Sequence, residues 1–210
     1  MQLTNFIFYK EIDSTQNEIW RLIQKNKIKD KTLVMADIQK SGKGTHGRIW
    51  HTDEIKNIAF SLYIQTNCKS HKLEGITIEI AKIIVQIFKE KYGIELDIKK
   101  PNDIMCKGKK IGGILTESKI NSEIVKFLVI GIGINTEKIK FTDDIKHIAT
   151  SIKKEFGIEV DRIEIINSFC DKFEKAIIRR IKKWELDFYF QGKEHKHLEW
   201  EKTYMKNMMK

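Results

Sequence analysis

The chain has 210 residues, 41% hydrophobic and 32% charged, enough to bury a core as one large domain or two small ones. Its 39 Lys and Arg against 29 Asp and Glu give a net charge of +10, which favours nucleotides, nucleic acid or an acidic protein as partners. No signal-peptide layout or membrane-length run is present, and Cys68, Cys106 and Cys170 are too scattered for a disulfide framework or zinc knuckle, so a soluble cytoplasmic protein is expected. In chain order, Phe6–Tyr9 reads as a short apolar strand. Ser14 or Thr15 then caps a helix whose apolar side is Ile19, Trp20, Leu22 and Ile23. Capping alone accounts for those two hydroxyls, although a helix N-terminus also attracts anions.

After a charged turn from Lys25 to Lys31, Thr32–Asp37 reads as a strand ended by Gln39, and Asn57–Ile64 as another. Amphipathic periodicity predicts a helix from Leu73 to Tyr92, stopped by Gly93. Ile94–Lys99 alternates like a strand, and Pro101, the only proline, fixes a turn in Lys99-Lys100-Pro101-Asn102-Asp103. Ile104–Cys106 and Lys110–Leu115 flank Lys107-Gly108-Lys109 as a hairpin. Glu123–Gly131 is a further strand that ends Gly131-Ile132-Gly133-Ile134-Asn135. Glycines at alternate positions leave one strand face bare, for a ligand lying flat or for a closely packed helix. From Ser151 the chain turns helical, with a strong helix starting at Asp161-Arg162 and reaching Ile177. Trp184–Lys210 reads as a second helix and tail, with His195 and His197 at its surface. Phe188-Tyr189-Phe190-Gln191-Gly192 matches half of a protease tag site and is read as native sequence. No repeat or low-complexity linker interrupts the chain.

The stretch Ser41-Gly42-Lys43-Gly44-Thr45-His46-Gly47-Arg48-Ile49-Trp50 carries the most chemistry. Spaced cations and free backbone N–H groups suit a phosphate or carboxylate, and Trp50 offers a face to a planar ring. Gly42, Gly44 and Gly47 match a dinucleotide fingerprint in spacing, but Arg48-Ile49-Trp50 leads into β-type residues where that motif needs a helix. The phosphate-loop pattern fails too, because Arg48-Ile49 stands where Lys-Ser/Thr belongs. A solvated basic surface loop is the plain alternative.

Four segments together resemble the catalytic domain of biotin–protein ligases. They are Asp13-Ser14-Thr15; Gln39 with the glycine loop; Lys100-Pro101-Asn102-Asp103 followed by Lys110-Ile111-Gly112-Gly113-Ile114-Leu115; and Gly131-Ile132-Gly133-Ile134-Asn135. The resemblance implies a single α+β domain over residues 1–205, a mixed sheet flanked by helices. It implies activation of biotin by ATP and Mg²⁺ as biotinoyl-AMP, then transfer to a lysine of a biotin carboxyl carrier domain. By position, Ser14, Thr15, Gln16, Gln39, Gly42, Lys43, Gly44 and Thr45 correspond to the biotin site, with Gly113 and Gly133 as its floor. Lys110, which also belongs to the biotin site, and Arg48 correspond to catalytic cations, while Arg48, Trp50 (beside the adenine), Asn102, Asp103 and Asn135 fall to ATP; no residue is assigned as a metal ligand. The family usually has Arg where Lys43 and Thr45 stand, and Trp where Lys100 stands. Lys lacks the bidentate fork of Arg and Thr lacks its charge, which predicts looser retention of the adenylate; His46 can restore part of that charge at low pH.

No helix-turn-helix pattern precedes Phe6, so specific DNA binding is not expected, and the β-barrel domain of many relatives is not expected after Lys210. A homodimer is compatible with the sequence. The alternatives are a lipoate or octanoate ligase of the same fold, a biotin-binding protein without turnover, and a basic nucleic-acid-binding module.

Overall fold

The computed structural model describes residues 1–52, 57–137, 141–179 and 181. The predicted helix and tail from Trp184, with His195, His197 and the tag-like pentapeptide, lie outside them. Strands β1 (Asn5–Ile12), β2 (Thr32–Lys43), β3 (Ile49–Thr52), β4 (Ile58–Lys69), β5 (Asp97–Lys99), β6 (Asp103–Cys106), β7 (Lys109–Asn121) and β8 (Ile124–Ile134) form one 8-stranded sheet. Its order is β1-β2-β4-β8-β7-β6-β5, with β3 hydrogen-bonded to β2. Only β1 and β2 run parallel; the other pairs are antiparallel, so the sheet is mixed, as expected.

The helices are α1 (Thr15–Gln24), α2 (Ile76–Tyr92), α3 (Ile152–Phe156) and α4 (Arg162–Phe173). Strand alternation divides them between two faces. Leu33, Met35, Phe60, Leu62, Ile130 and Ile132 point to one face, where they pack with Ile80, Ile84 and Phe88 of α2 and Phe169 and Phe173 of α4. Val34, Tyr63 and Val129 point to the other, where Ile19, Trp20 and Ile23 of α1 cover them. Burying each such aliphatic side chain contributes about 1.5–3 kcal/mol. Asp37 of β2 and Arg162 of α4 form a largely buried ion pair at 2.7 Å across the main core.

Ser14 is the N-cap of α1, accepting from the Asn17 N–H at 3.5 Å, and Gly93 ends α2 with φ 66°. Gly75, also left-handed at φ 74°, precedes α2, so the helix starts at Ile76 instead of Leu73. Several strand boundaries differ from expectation: β1 runs on to Ile12 past the expected Tyr9, and β7 to Asn121 past Leu115. β2 continues past Gln39 to Lys43, because Gly42 and Lys43 pair with Trp50 and Ile49 of β3. β4 extends to Lys69, since β8 offers a partner as far as Ile124. The strand expected over Ile94–Lys99 is only Asp97–Lys99; Ile94 and Leu96 are buried in the main core without a strand partner. α4 stops at Phe173 and continues as a wider π turn, Glu174–Ile178. Cys68, Cys106 and Cys170 are buried and none is in a disulfide. Among the described residues no helix is long and apolar enough to cross a membrane.

Candidate ligand pocket

The pocket begins with what the α1 face of the sheet lacks. Ala59, Gly133 and Gly113 are direct neighbours on β4, β8 and β7, so nothing larger than a methyl group stands there. The next row is Ser61, Gly131 and Leu115. No helix covers the glycines in the way a tight helix packing would. Instead, the Trp50 ring lies over Gly133, where a Cβ would come within 2.5 Å of its Cε2 and Nε1, and within 3.5 Å of Gly113's Cβ position. Gln16 at the start of α1 lies against Gly131, its Oε1 2.7 Å from where a Cβ would be. These glycines therefore serve close approach, not backbone freedom.

The inner end of the pocket is polar and uncharged. The Thr15 N–H and hydroxyl both reach Gln39 Oε1, at 2.8 and 3.1 Å, and Thr15 Oγ1 lies 2.9 Å from Ser61 Oγ. Ser61 donates to Gln16 Oε1 at 2.9 Å, and Gln16 Nε2 donates to Glu117 Oε2 at 2.8 Å. Ser14, Thr15, Gln16, Gln39 and Ser61 are all buried, so each bond matters. Asp13 stands outside this set. Hydrogen bonds from Arg21 hold its carboxyl well below the usual carboxylate range, and Asn17 Nδ2 donates to it at 2.8 Å. It anchors the entry to α1, and its carbonyl accepts the Ser41 N–H of β2 at 2.8 Å.

The glycine stretch is the tip of the β2–β3 hairpin. Gly42 is required there: a Cβ would meet the Trp50 carbonyl oxygen at 2.4 Å. His46 (φ 56°) and Gly47 (φ 73°) are consecutive left-handed residues that close the tip. Arg48 folds over it, donating from Nε to Thr45 O at 3.3 Å and from Nη2 to Thr45 Oγ1 at 3.4 Å. At the opposite wall, Lys110 Nζ is 2.5 Å from Asp103 Oδ1 and 5.7 Å from the Trp50 ring centre. Asn102 Nδ2 donates to Ile114 O at 3.0 Å and Asn135 Nδ2 to Thr150 O at 3.2 Å, so both brace the walls.

Of the residues singled out from the sequence, all but Gly42 and Asp103 line this cleft, which encloses about 210 Å³. That is below the ~300–1,000 Å³ usual for ligand pockets, and the Trp50 ring occupies part of the space. The sequence reading missed Ser61, whose signal was a lone hydroxyl in the apolar run Ile58–Ile64, and Glu117. It also missed the apolar lobe of Phe141, Ile145 and Ile148, which no motif marked. Among the described residues no group of three or more His, Cys, Asp or Glu could hold a metal ion.

Comparison with known proteins agrees with this fold. The profile of the biotin/lipoate A/B protein ligase family matches residues 8–135. The chain belongs to that family. It is 37% identical over 173 residues to the bifunctional ligase/repressor BirA of Bacillus subtilis, covering 81% of this chain and 53% of that protein. The chain thus spans about half the length of that curated relative. The biotin–[acetyl-CoA-carboxylase] ligase of Paracoccus denitrificans is 27% identical over 168 residues, 78% of this chain and 69% of that protein. Among solved structures, the Aquifex aeolicus biotin protein ligase in complex with biotin and ATP superposes with a TM-score of 0.68 at 28% identity, over 87% of this chain and 72% of that one.

Proposed function

We propose that this chain activates biotin with ATP and transfers it to a lysine of a biotin carboxyl carrier domain. The observation that carries the reading is the polarity of the cleft. Its inner end offers uncharged hydroxyl and amide groups, its floor is the bare row Ala59–Gly133–Gly113, and Lys110 stands on its wall. That order fits a ligand with a neutral polar head, an apolar chain and a terminal carboxylate. The family relationship supports it, as do relatives whose names specify biotin.

In the first step a carboxylate oxygen of biotin attacks the α-phosphorus of ATP, the bond to the β-phosphate breaks, and pyrophosphate leaves. Two anions must approach, so a cation between them lowers the barrier. Lys110 supplies it by turning from Asp103 towards the reacting oxygens. Arg48, already at the hairpin tip, meets phosphate when the tip closes over the anhydride and keeps water from it. In the second step the neutral carrier amine attacks the acyl carbon, AMP leaves, and the amine's proton passes to solvent. The apolar lobe of Phe141, Ile145 and Ile148 suits the adenine face. A magnesium ion brought by the phosphates would offset their charge, and Asp103, a carboxylate beside Lys110, is the residue that would hold it. The chain's charge of +10 suits an acidic carrier.

The test is pyrophosphate release from Mg-ATP with biotin, with lipoate and octanoate in parallel. Biotin-dependent release that Lys110→Ala abolishes is the expected result. Release with lipoate alone refutes the choice of substrate, and biotin binding without release refutes the ligase chemistry.

A further inference from the structure

The main chain of Lys110 is held by a segment that is not one of the named strands. Its N–H donates to the Ile148 carbonyl at 2.7 Å, and its carbonyl accepts the Thr150 N–H at 2.9 Å. Ala149 thereby forms a parallel bridge to Lys110, near the start of β7. Two turns lead into this clasp, with the Ile145 N–H donating to Thr142 O at 3.1 Å and the Ala149 N–H to Ile145 O at 2.9 Å. Ile145, Ile148 and Ala149 also line the apolar lobe of the cleft. One short segment is therefore both a wall of that lobe and the mount of Lys110. Its side-chain anchor is a buried hydroxyl: Thr150 donates from Oγ1 to Glu155 Oε1 of α3 at 2.6 Å. Asn135 Nδ2 adds a longer bond to Thr150 O, at 3.2 Å. Glu155 itself does not line the cleft, and its other oxygen lies 3.4 Å from Lys107 Nζ. The Thr150 hydroxyl, ahead of the Lys107 charge, holds the Glu155 carboxyl below its ordinary range, so it remains an acceptor.

We infer that Glu155 is a positioning residue for the adenylation step: through the Thr150 hydroxyl it holds the segment that forms both the adenine wall and the mount of Lys110. This rests on the reading of the cleft as a biotin and ATP site. A hydrogen bond to a carboxylate is stronger than one between neutral groups, and a buried hydroxyl without a partner is costly. Without that acceptor Thr150 is tied by its backbone alone, and the segment spends part of its time away from Lys110. Affinity for ATP then falls with the fraction of molecules whose wall is in place, and in the others the lysine is misplaced for reaction. Thr15, Gln39 and Ser61, at the inner end of the cleft, are held by one another on α1, β2 and β4, so the biotin head does not depend on this anchor.

The experiment measures biotin Kd by calorimetry, and KM for ATP and kcat of biotin-dependent pyrophosphate release, on the full chain and its variants. Thr150→Val keeps the shape and removes the hydroxyl. It is expected to raise KM for ATP about tenfold and lower kcat about tenfold, the scale of one lost buried hydrogen bond, with biotin Kd within about threefold. Glu155→Ala is expected to give the same split, and because Glu155 is partly exposed it decides the case alone if Thr150→Val does not fold. Thr150→Ser keeps the donor and Glu155→Gln keeps an acceptor oxygen, so each is expected to recover KM and kcat to within about threefold of wild type. Lys107→Gln is expected to leave both constants unchanged, because an exposed ion pair contributes little. Unchanged KM and kcat in Glu155→Ala overturn the inference. So does a biotin Kd that rises as much as KM for ATP, and so do conservative variants that fail like the truncated ones. A wild-type chain that releases no pyrophosphate with biotin overturns the ligase reading itself, and the inference with it.

Discussion

Gly133→Ala tests the floor of the pocket. The added Cβ would lie 2.5 Å from Trp50 Cε2 and Nε1 and 3.0 Å from Cζ2. Carbon contacts are comfortable at about 3.5–4.0 Å, so the indole must retreat by roughly 1 Å. Forcing an extra methyl into a packed core destabilises by about 1–3 kcal/mol. Here the low end applies, because Trp50 belongs to the four-residue strand β3 and can lift without disturbing the sheet. A ligand lying on that floor has no such freedom, since Ala59 and Gly113 flank it on both sides. The expected result is a small loss of stability in urea, about 1 kcal/mol, with a biotin Kd raised about five- to hundred-fold by calorimetry. A biotin Kd within twofold of wild type refutes the placement of the ligand on this row.

Three further outcomes follow from other parts of the molecule. Thr45→Arg restores a cation at the hairpin tip and is expected to reduce labelling of albumin at constant carrier labelling; an unchanged ratio removes any role for Thr45 in adenylate loss. Arg162→Met leaves the largely buried Asp37 without its partner and is expected to lose about 3 kcal/mol in urea denaturation, the usual result of leaving a buried charge uncompensated. Burial pushes the Cys170 thiol from 9.0 up to about 11. Between those pH values the unfolded chain gives up a proton that the folded chain keeps, so stability falls as pH rises through the window. Cys170→Ala is expected to remove up to about 2 kcal/mol of that fall, measured as the difference in urea stability at pH 8.5 and pH 10.5.

The elements legible in the sequence are those whose cause is local. The Ser14 cap, the period of α2, its stop at Gly93 and the Asp161 cap of α4 each depend on residues within a turn of one another. β2 was read short because Gly42 resembles a loop residue until Trp50 is seen beside it. β5 was read long because alternation at Ile94 and Leu96 reports burial, not a strand partner. In the pocket, the motif residues were legible as a set, but their arrangement was not. Glu117 is an ordinary acid in β7, and only the folded sheet brings it to Gln16. Trp50 was expected beside adenine by resemblance; in the structure its ring rests on the glycine floor.

The hydrogen-bond chain at the head of the pocket also bears on how the protein is made. Its links join positions separated by 24 residues (Thr15 to Gln39), 46 (Thr15 to Ser61) and 101 (Gln16 to Glu117). The full set forms only when α1, β2, β4 and β7 are all docked, and closing such long loops is what makes folding of strand-rich chains slow. A nascent chain that has emerged only as far as β4 has Thr15, Gln39 and Ser61 but lacks Gly113, Gly133 and Lys110 of the pocket's floor and wall. Ligand binding is therefore a property of the finished sheet. Any ligand of that site, at 100 times its Kd, stabilises the native state by about 2.7 kcal/mol over every partly assembled one. A ligand of the proposed site therefore acts as a folding chaperone for the chain that binds it.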